Sequence, residues 1–140
     1  MKKAIINIST IQIQAASKQE EVVELITEAV IYKEDKDYYI IYEESEISGL
    51  EGTTTTLRIN EKKVSMKREG NNTSVMEFEK GKRYKTSYKT EYGNMFMELL
   101  TKKVEAVINE EPLTMDIKIE YEIVIKDMFE GKNKMHIKVN

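Results

Sequence analysis

The stretch "TMDIKIEYEIVIK", residues 114–126, decides the fold. Met115, Ile117, Ile119, Tyr121, Ile123 and Ile125 fall on one side of a period-two repeat. Asp116, Lys118, Glu120, Glu122 and Lys126 fall on the other, with Val124 the exception. Successive side chains of a strand point to opposite faces, so this is a long strand with one dry and one wet side. "KMHIKVN" repeats the pattern with Met135, Ile137 and Val139, and "RYKTSYKTEY" does so with Tyr84, Thr86, Tyr88, Thr90 and Tyr92.

Turn chemistry separates such runs: Glu34 to Asp37, Asn60 to Lys62, Glu69 to Asn72, Lys80 to Lys82, Gly93-Asn94, Asn109 to Pro112 and Glu130 to Asn133. Connections this short suit antiparallel hairpins, since a parallel crossover needs a dozen residues or more. One apolar face per strand gives a meander, and closing it into a barrel removes exposed edges. The expected fold is all-β: a single antiparallel up-and-down barrel of about eight to ten strands, spanning residues 1–140 as one domain.

"TTTT" at 53–56 follows Gly49 and Gly52 and leads into Leu57 and Ile59. Threonine is β-branched and suits a pleated surface, so strand chemistry explains the run. A row of hydroxyls lining a polar cavity is the functional alternative. Two segments resist an all-β assignment. "SKQEEVVELITEAVIY" (17–32) carries a capping box at Ser17 and Glu20, with Val22, Leu25, Ile26, Ala29 and Val30 at helical spacing. "MFMELLTKKVEAVI" (95–108) places Phe96, Leu99, Leu100, Lys103, Val104 and Val107 likewise. Near the start, the apolar phase switches from Ile6 and Ile8 to Ile11 and Ile13, which predicts a bulge near Ser9 and Thr10.

Composition excludes several function classes. Of 140 residues, 25 are acidic and 22 basic, with a formal net charge of −3 and no basic run. Double-stranded nucleic acid is therefore not an expected partner. The chain has no cysteine, hence no disulfide, thiolate metal site or cysteine nucleophile. "MKKAIINISTIQIQAAS" imitates a secretory signal, but Asn7, Ser9, Thr10, Gln12 and Gln14 interrupt its apolar middle. A cytoplasmic protein without a membrane span is expected.

Four signatures occur in one order: "YEESEISGLEGT" (42–53), "MKREG" (66–70), "MEFEKG" (76–81) and "YKTEYGNMFMELLT" (88–101), with "IEYEIVI" near the end. Together they resemble the YwiB-type family of uncharacterised bacterial proteins, a domain of unknown function with a calycin-like (lipocalin-like) β-barrel. The resemblance covers nearly the whole chain. It implies that both ambiguous segments are strands, and it brings no substrate, cofactor or catalytic residue.

Candidate chemistry is sparse. His136, the only histidine, falls on the wet phase with Lys134 and Lys138, so neither a triad nor a metal site is expected around it. Arg68 stands on the apolar phase of Val64 and Met66 just before the Gly70 turn. There its guanidinium reaches the barrel rim to bind a carboxylate or phosphate, or it pairs with a barrel carboxylate or extends into water. Tyr84, Tyr88 and Tyr92 form either a cavity wall or cross-strand surface pairs. Glu98 faces inward as a perturbed carboxylate or outward if the strand bulges. Met66, Met97 and the other methionines fill the core or line an adaptable surface.

The leading expectation is a noncatalytic barrel, without cofactor or metal, whose lumen holds a small apolar or amphipathic ligand against Arg68, Met66, Met97, Tyr84, Tyr88, Tyr92 and Glu98. The alternatives are a protein-interaction or homodimeric module using exposed Tyr38, Tyr39 and Tyr42, and an enzyme built on carboxylates, tyrosine and arginine.

Overall fold

The computed structural model describes residues 2–45, 50–90 and 93–140, apart from the side chains of Tyr88 and Thr90. Ten strands follow one another: β1 (Lys2–Gln14), β2 (Glu20–Glu34), β3 (Asp37–Glu43), β4 (Thr53–Ile59), β5 (Lys63–Gly70), β6 (Ser74–Glu79), β7 (Arg83–Thr90), β8 (Gly93–Glu110), β9 (Leu113–Ile125) and β10 (Phe129–Val139). Both segments with helical spacing are strands, β2 and β8.

The strands form one antiparallel sheet in the order β6-β5-β4-β3-β2-β1-β10-β9-β8-β7. First and last strands pair, from Ile6 opposite Val139 to Gln14 opposite Gly131. The sheet curls into a nearly closed barrel whose seam lies mid-chain, between β6 and β7. That seam is held by one described bridge, Thr73 with Lys89, whose two backbone hydrogen bonds measure 3.0 and 2.9 Å. At its other end the Glu79–Lys82 turn binds β8, with Gly81 N–H donating to the Thr101 carbonyl at 2.9 Å.

Alternation places the core. On β9, Met115, Ile117, Ile119, Tyr121 and Ile123 are buried, while Lys118 and Val124 are exposed. Removing a large side chain such as Phe78 or Ile137 from water stabilises the fold by about 1.5–3 kcal/mol each. Turn residues fix the registers that align these rows. Between β4 and β5, Asn60 Oδ1 accepts from the N–H groups of Lys62 and Lys63, both at 2.9 Å.

Two expectations are corrected. β1 carries no bulge, since its register with both β2 and β10 is continuous through Ser9 and Thr10. The strand keeps its phase while the residue types change: Ile11 and Ile13 fall on the outer face, and Thr10 and Gln12 turn into the barrel. The bulge lies instead in β8, between Thr101 and Lys103. It moves the inward phase from Met97, Leu99 and Thr101 to Val104, Ala106 and Ile108. Residues 130–133, read as a turn, lie within β10, and the turn is at Asp127 and Met128. Gly131 is needed for close approach, because a Cβ there would stand 2.2 Å from the Ile13 carbonyl oxygen.

The β8–β9 hairpin extends beyond β7, and its tip is tied to the start of the sheet. Glu110 accepts a hydrogen bond from the Tyr38 hydroxyl at 2.8 Å and pairs with Lys33 at 3.0 Å.

Candidate functional site in the barrel lumen

Three successive rungs of β3–β6 show how the lumen changes along its axis. The first is Tyr38, Ile59, Val64 and Phe78; the second is Ile40, Leu57, Met66 and Met76. The third is Tyr42, Thr55, Arg68 and Ser74. Each rung lies two residues from the last, so all point inward, and the chemistry runs from apolar to polar. Across the barrel, β1, β10, β9 and β8 supply a second polar rung: Gln12, Asn133, Tyr121 and Thr101.

Between these polar rungs lies a cavity of about 290 Å³. Its apolar walls include Met66, Met76, Met97, Met135 and Ile123, and its polar lining includes Thr10, Gln12, Ser74 and Asn133. Among the described residues, Arg68 and Glu44 are the charged side chains that line it. Glu44, just past β3, is drawn in by its N–H, which donates to the Thr53 carbonyl at 2.8 Å. Its carboxylate is 3 % exposed and accepts a hydrogen bond from the Thr55 hydroxyl at 2.7 Å.

Arg68, with 19 % of its side chain exposed, is the countercharge. Its Nε lies 3.9 Å from Glu44 Oε1, close enough for Coulomb attraction and too far for a hydrogen bond. That buried Nε has no hydrogen-bond partner among the described residues. The same holds for Ser74 Oγ and Asn133 Oδ1, in residues 3 % and 5 % exposed. Asn133, which lines the cavity, donates through Nδ2 to the Tyr121 hydroxyl at 3.1 Å, and its side-chain oxygen is buried.

The two phenols stay protonated. Burial, then the negative charge of Glu44, drives Tyr42 far above its ordinary value, with the Arg68 charge opposing. Burial also raises Tyr121, against the hydrogen bond from Asn133 and the Arg68 charge.

Of the residues expected to line a ligand site, the structure brings together Arg68, Met66 and Met97. Tyr84 is half-buried against the core and is not part of the cavity lining. Glu98 faces outward and binds Arg83. The expectation for Tyr88 falls on a side chain outside the description, and Tyr92 lies outside the described residues. Tyr38 and Tyr42 are buried, so they form no contact surface; Tyr39 is on the outer face, stacked on Tyr32 with ring centroids 4.8 Å apart. His136 lies on the outer face as expected, its Nε2 2.7 Å from Asp116. The threonine run divides, with Thr53 and Thr55 inward and Thr54 and Thr56 outward. Sequence reasoning missed Tyr42, Glu44, Ser74 and Asn133.

The family described as a domain of unknown function, DUF1934, matches residues 6–137. The chain belongs to this family. Its structure is similar to the crystal structure of the ywiB protein from Bacillus subtilis, with a TM-score of 0.81 and 21% sequence identity, over 99% of this chain and 92% of that one. At that identity the likeness shows the barrel fold. No curated protein matches the chain.

Proposed function

We propose that this DUF1934 protein is a noncatalytic, cytoplasmic barrel, calycin-like in its use of the lumen, that holds one small, partly apolar ligand. The observation that carries this reading is the cavity of about 290 Å³ with three buried polar groups that lack a partner among the described residues, Arg68 Nε, Ser74 Oγ and Asn133 Oδ1. A buried polar group left unpaired costs about 1–3 kcal/mol, so a molecule that supplies the partners is bound with that much in its favour. The methionine walls are soft and adapt to a ligand's apolar part. The noncatalytic reading is supported by the phenols, whose raised pKa values make them poor bases near neutral pH.

Methionine methyl NMR tests the reading on the gently purified protein. Amphipathic ligands that occupy the lumen shift the methyl signals of Met66, Met76, Met97 and Met135, and leave exposed Met128 unmoved. Native mass spectrometry shows the same ligand as a single added mass. Lumen methyl signals that stay fixed across acyl, haem-like and nucleotide ligands, with no added mass, would reject the reading.

A further inference from the structure

The charges that the described residues bring to the lumen balance. Among the described residues, Glu44 and Arg68 are the two charged side chains that line it, one of each sign, and both face the same cavity. The carboxylate is anchored by Thr55 and stands beside the guanidinium without occupying its Nε. A second carboxylate entering the cavity would meet Glu44 within the same low-dielectric space and leave an uncompensated buried charge, which is strongly unfavourable. A cation would meet Arg68 in the same way. A neutral molecule adds no such charge.

The unpartnered groups define what that molecule must carry. Arg68 Nε is a donor and asks for an acceptor; Asn133 Oδ1 is an acceptor and asks for a donor; Ser74 Oγ can do either. Arg68 and Ser74 face each other across paired strands β5 and β6, and Asn133 projects from β10 into the same cavity. The Asn133 amide is oriented by its hydrogen bond to the Tyr121 hydroxyl, and in that orientation its unpartnered end is the oxygen, an acceptor.

Resting on the lumen-binding reading above, we infer that the ligand is electrically neutral and carries both a hydrogen-bond acceptor and a donor, as an amide, lactam or ureide does. Its acceptor takes the Arg68 hydrogen bond, its N–H binds Asn133, and its apolar part lies on Met66, Met76, Met97 and Met135.

Three probes of one chain length separate the terms: octanamide (neutral, donor and acceptor), methyl octanoate (neutral, acceptor only) and octanoate (anionic). Calorimetric titration of the whole protein at neutral pH is expected to give octanamide at least about ten-fold tighter binding than either competitor. Glu44→Gln keeps an acceptor for Thr55 while leaving Arg68 uncompensated, so octanoate should gain at least about ten-fold there. Circular dichroism confirms that the variant is folded. Octanoate binding the unaltered protein best, or a ratio of acid to amide unchanged in Glu44→Gln, overturns the neutral-ligand inference and leaves lumen binding standing. Methyl octanoate equal to octanamide overturns the donor requirement. No binding of any probe by either protein, with the lumen methionine signals unmoved, removes the lumen reading and this inference with it.

Discussion

The two ends of the barrel are built by the same period-two code and serve opposite purposes. At the end of Ile59, Val64, Phe78, Ile117 and Ile137, every one of these inward side chains is fully buried and apolar. At the other end, the inward positions carry Thr10, Gln12, Arg68, Ser74 and Asn133 around a cavity. The first end supplies the stability that lets the second keep polar groups without partners among the described residues. A barrel packed dry throughout would gain stability and lose any place for a ligand.

The largest expected effect breaks this contrast at the dry end. Phe78→Ala removes a fully buried ring that packs on Tyr121 at 4.7 Å between centroids. It should cost about 3–5 kcal/mol in denaturant unfolding. Met76→Ala, two residues away on the same strand but beside the cavity, should cost about 2 kcal/mol or less, since that side chain already lacks neighbours on one side. Equal losses would show that the cavity end is packed as tightly as the other.

The next effect probes the polar end. Thr55→Val deletes the hydroxyl that donates to the buried Glu44 carboxylate. A hydrogen bond to a charged group contributes about 1.5–3 kcal/mol, and a loss of that size is expected. A near-neutral result would mean that Glu44 is satisfied without Thr55.

The same contrast explains what could be read from the sequence. β9 was legible because its alternation is unbroken and its inward residues are nearly all aliphatic. β8 imitated a helix because its bulge moves the inward phase by one residue, and two phases joined end to end place apolar residues three and four apart. β1 imitated a bulge because its lumen-facing residues turn polar while Ile11 and Ile13 lie outside. In both strands the apolar pattern ceased to mark the inner face. Arg68 was legible as a polar residue on an apolar phase, and the same signal marks Thr55, Tyr42 and Tyr121 once registers are known. Asn133 was hidden because Gly131 and its polar neighbours resemble a turn. Glu44 continues the inward phase of Tyr38, Ile40 and Tyr42, but in the sequence Glu43, Glu44 and Glu46 read together as a solvated acidic loop.

A smaller effect is a pH dependence at the hairpin tip that joins β8 to β9. Hydrogen bonds from Tyr38 and then Lys33, followed by the Lys33 charge, hold Glu110 below its ordinary value. A depressed carboxylate pKa stabilises the tethered state above the ordinary value and ceases to do so as pH falls through the folded value. Protection of the amides of Asn109, Glu110, Glu111, Leu113 and Thr114 against hydrogen exchange, corrected for intrinsic rates, should therefore fall between about pH 6 and about pH 3. Glu110→Gln should lower that protection at the upper pH and remove the change across the window. Protection that is insensitive to both would show that packing alone holds the tip.

The smallest expected effect compares two buried threonines on opposite polar rungs. Thr55 has a carboxylate partner, whereas Thr101, fully buried, has an Oγ1 with none among the described residues. The backbone of Thr101 ties the turn to the bulge, its N–H donating to the Lys82 carbonyl at 3.2 Å and its own carbonyl accepting from Gly81. Neither bond involves the side chain. Thr101→Val keeps the β-branched shape and removes a buried hydroxyl, so stability should lie between no change and a gain of about 1 kcal/mol. A loss comparable with that of Thr55→Val would show that the hydroxyl is hydrogen-bonded in solution. The hydrogen-bonded part of the polar rung would then reach Thr101 on β8 as well as Tyr121 and Asn133.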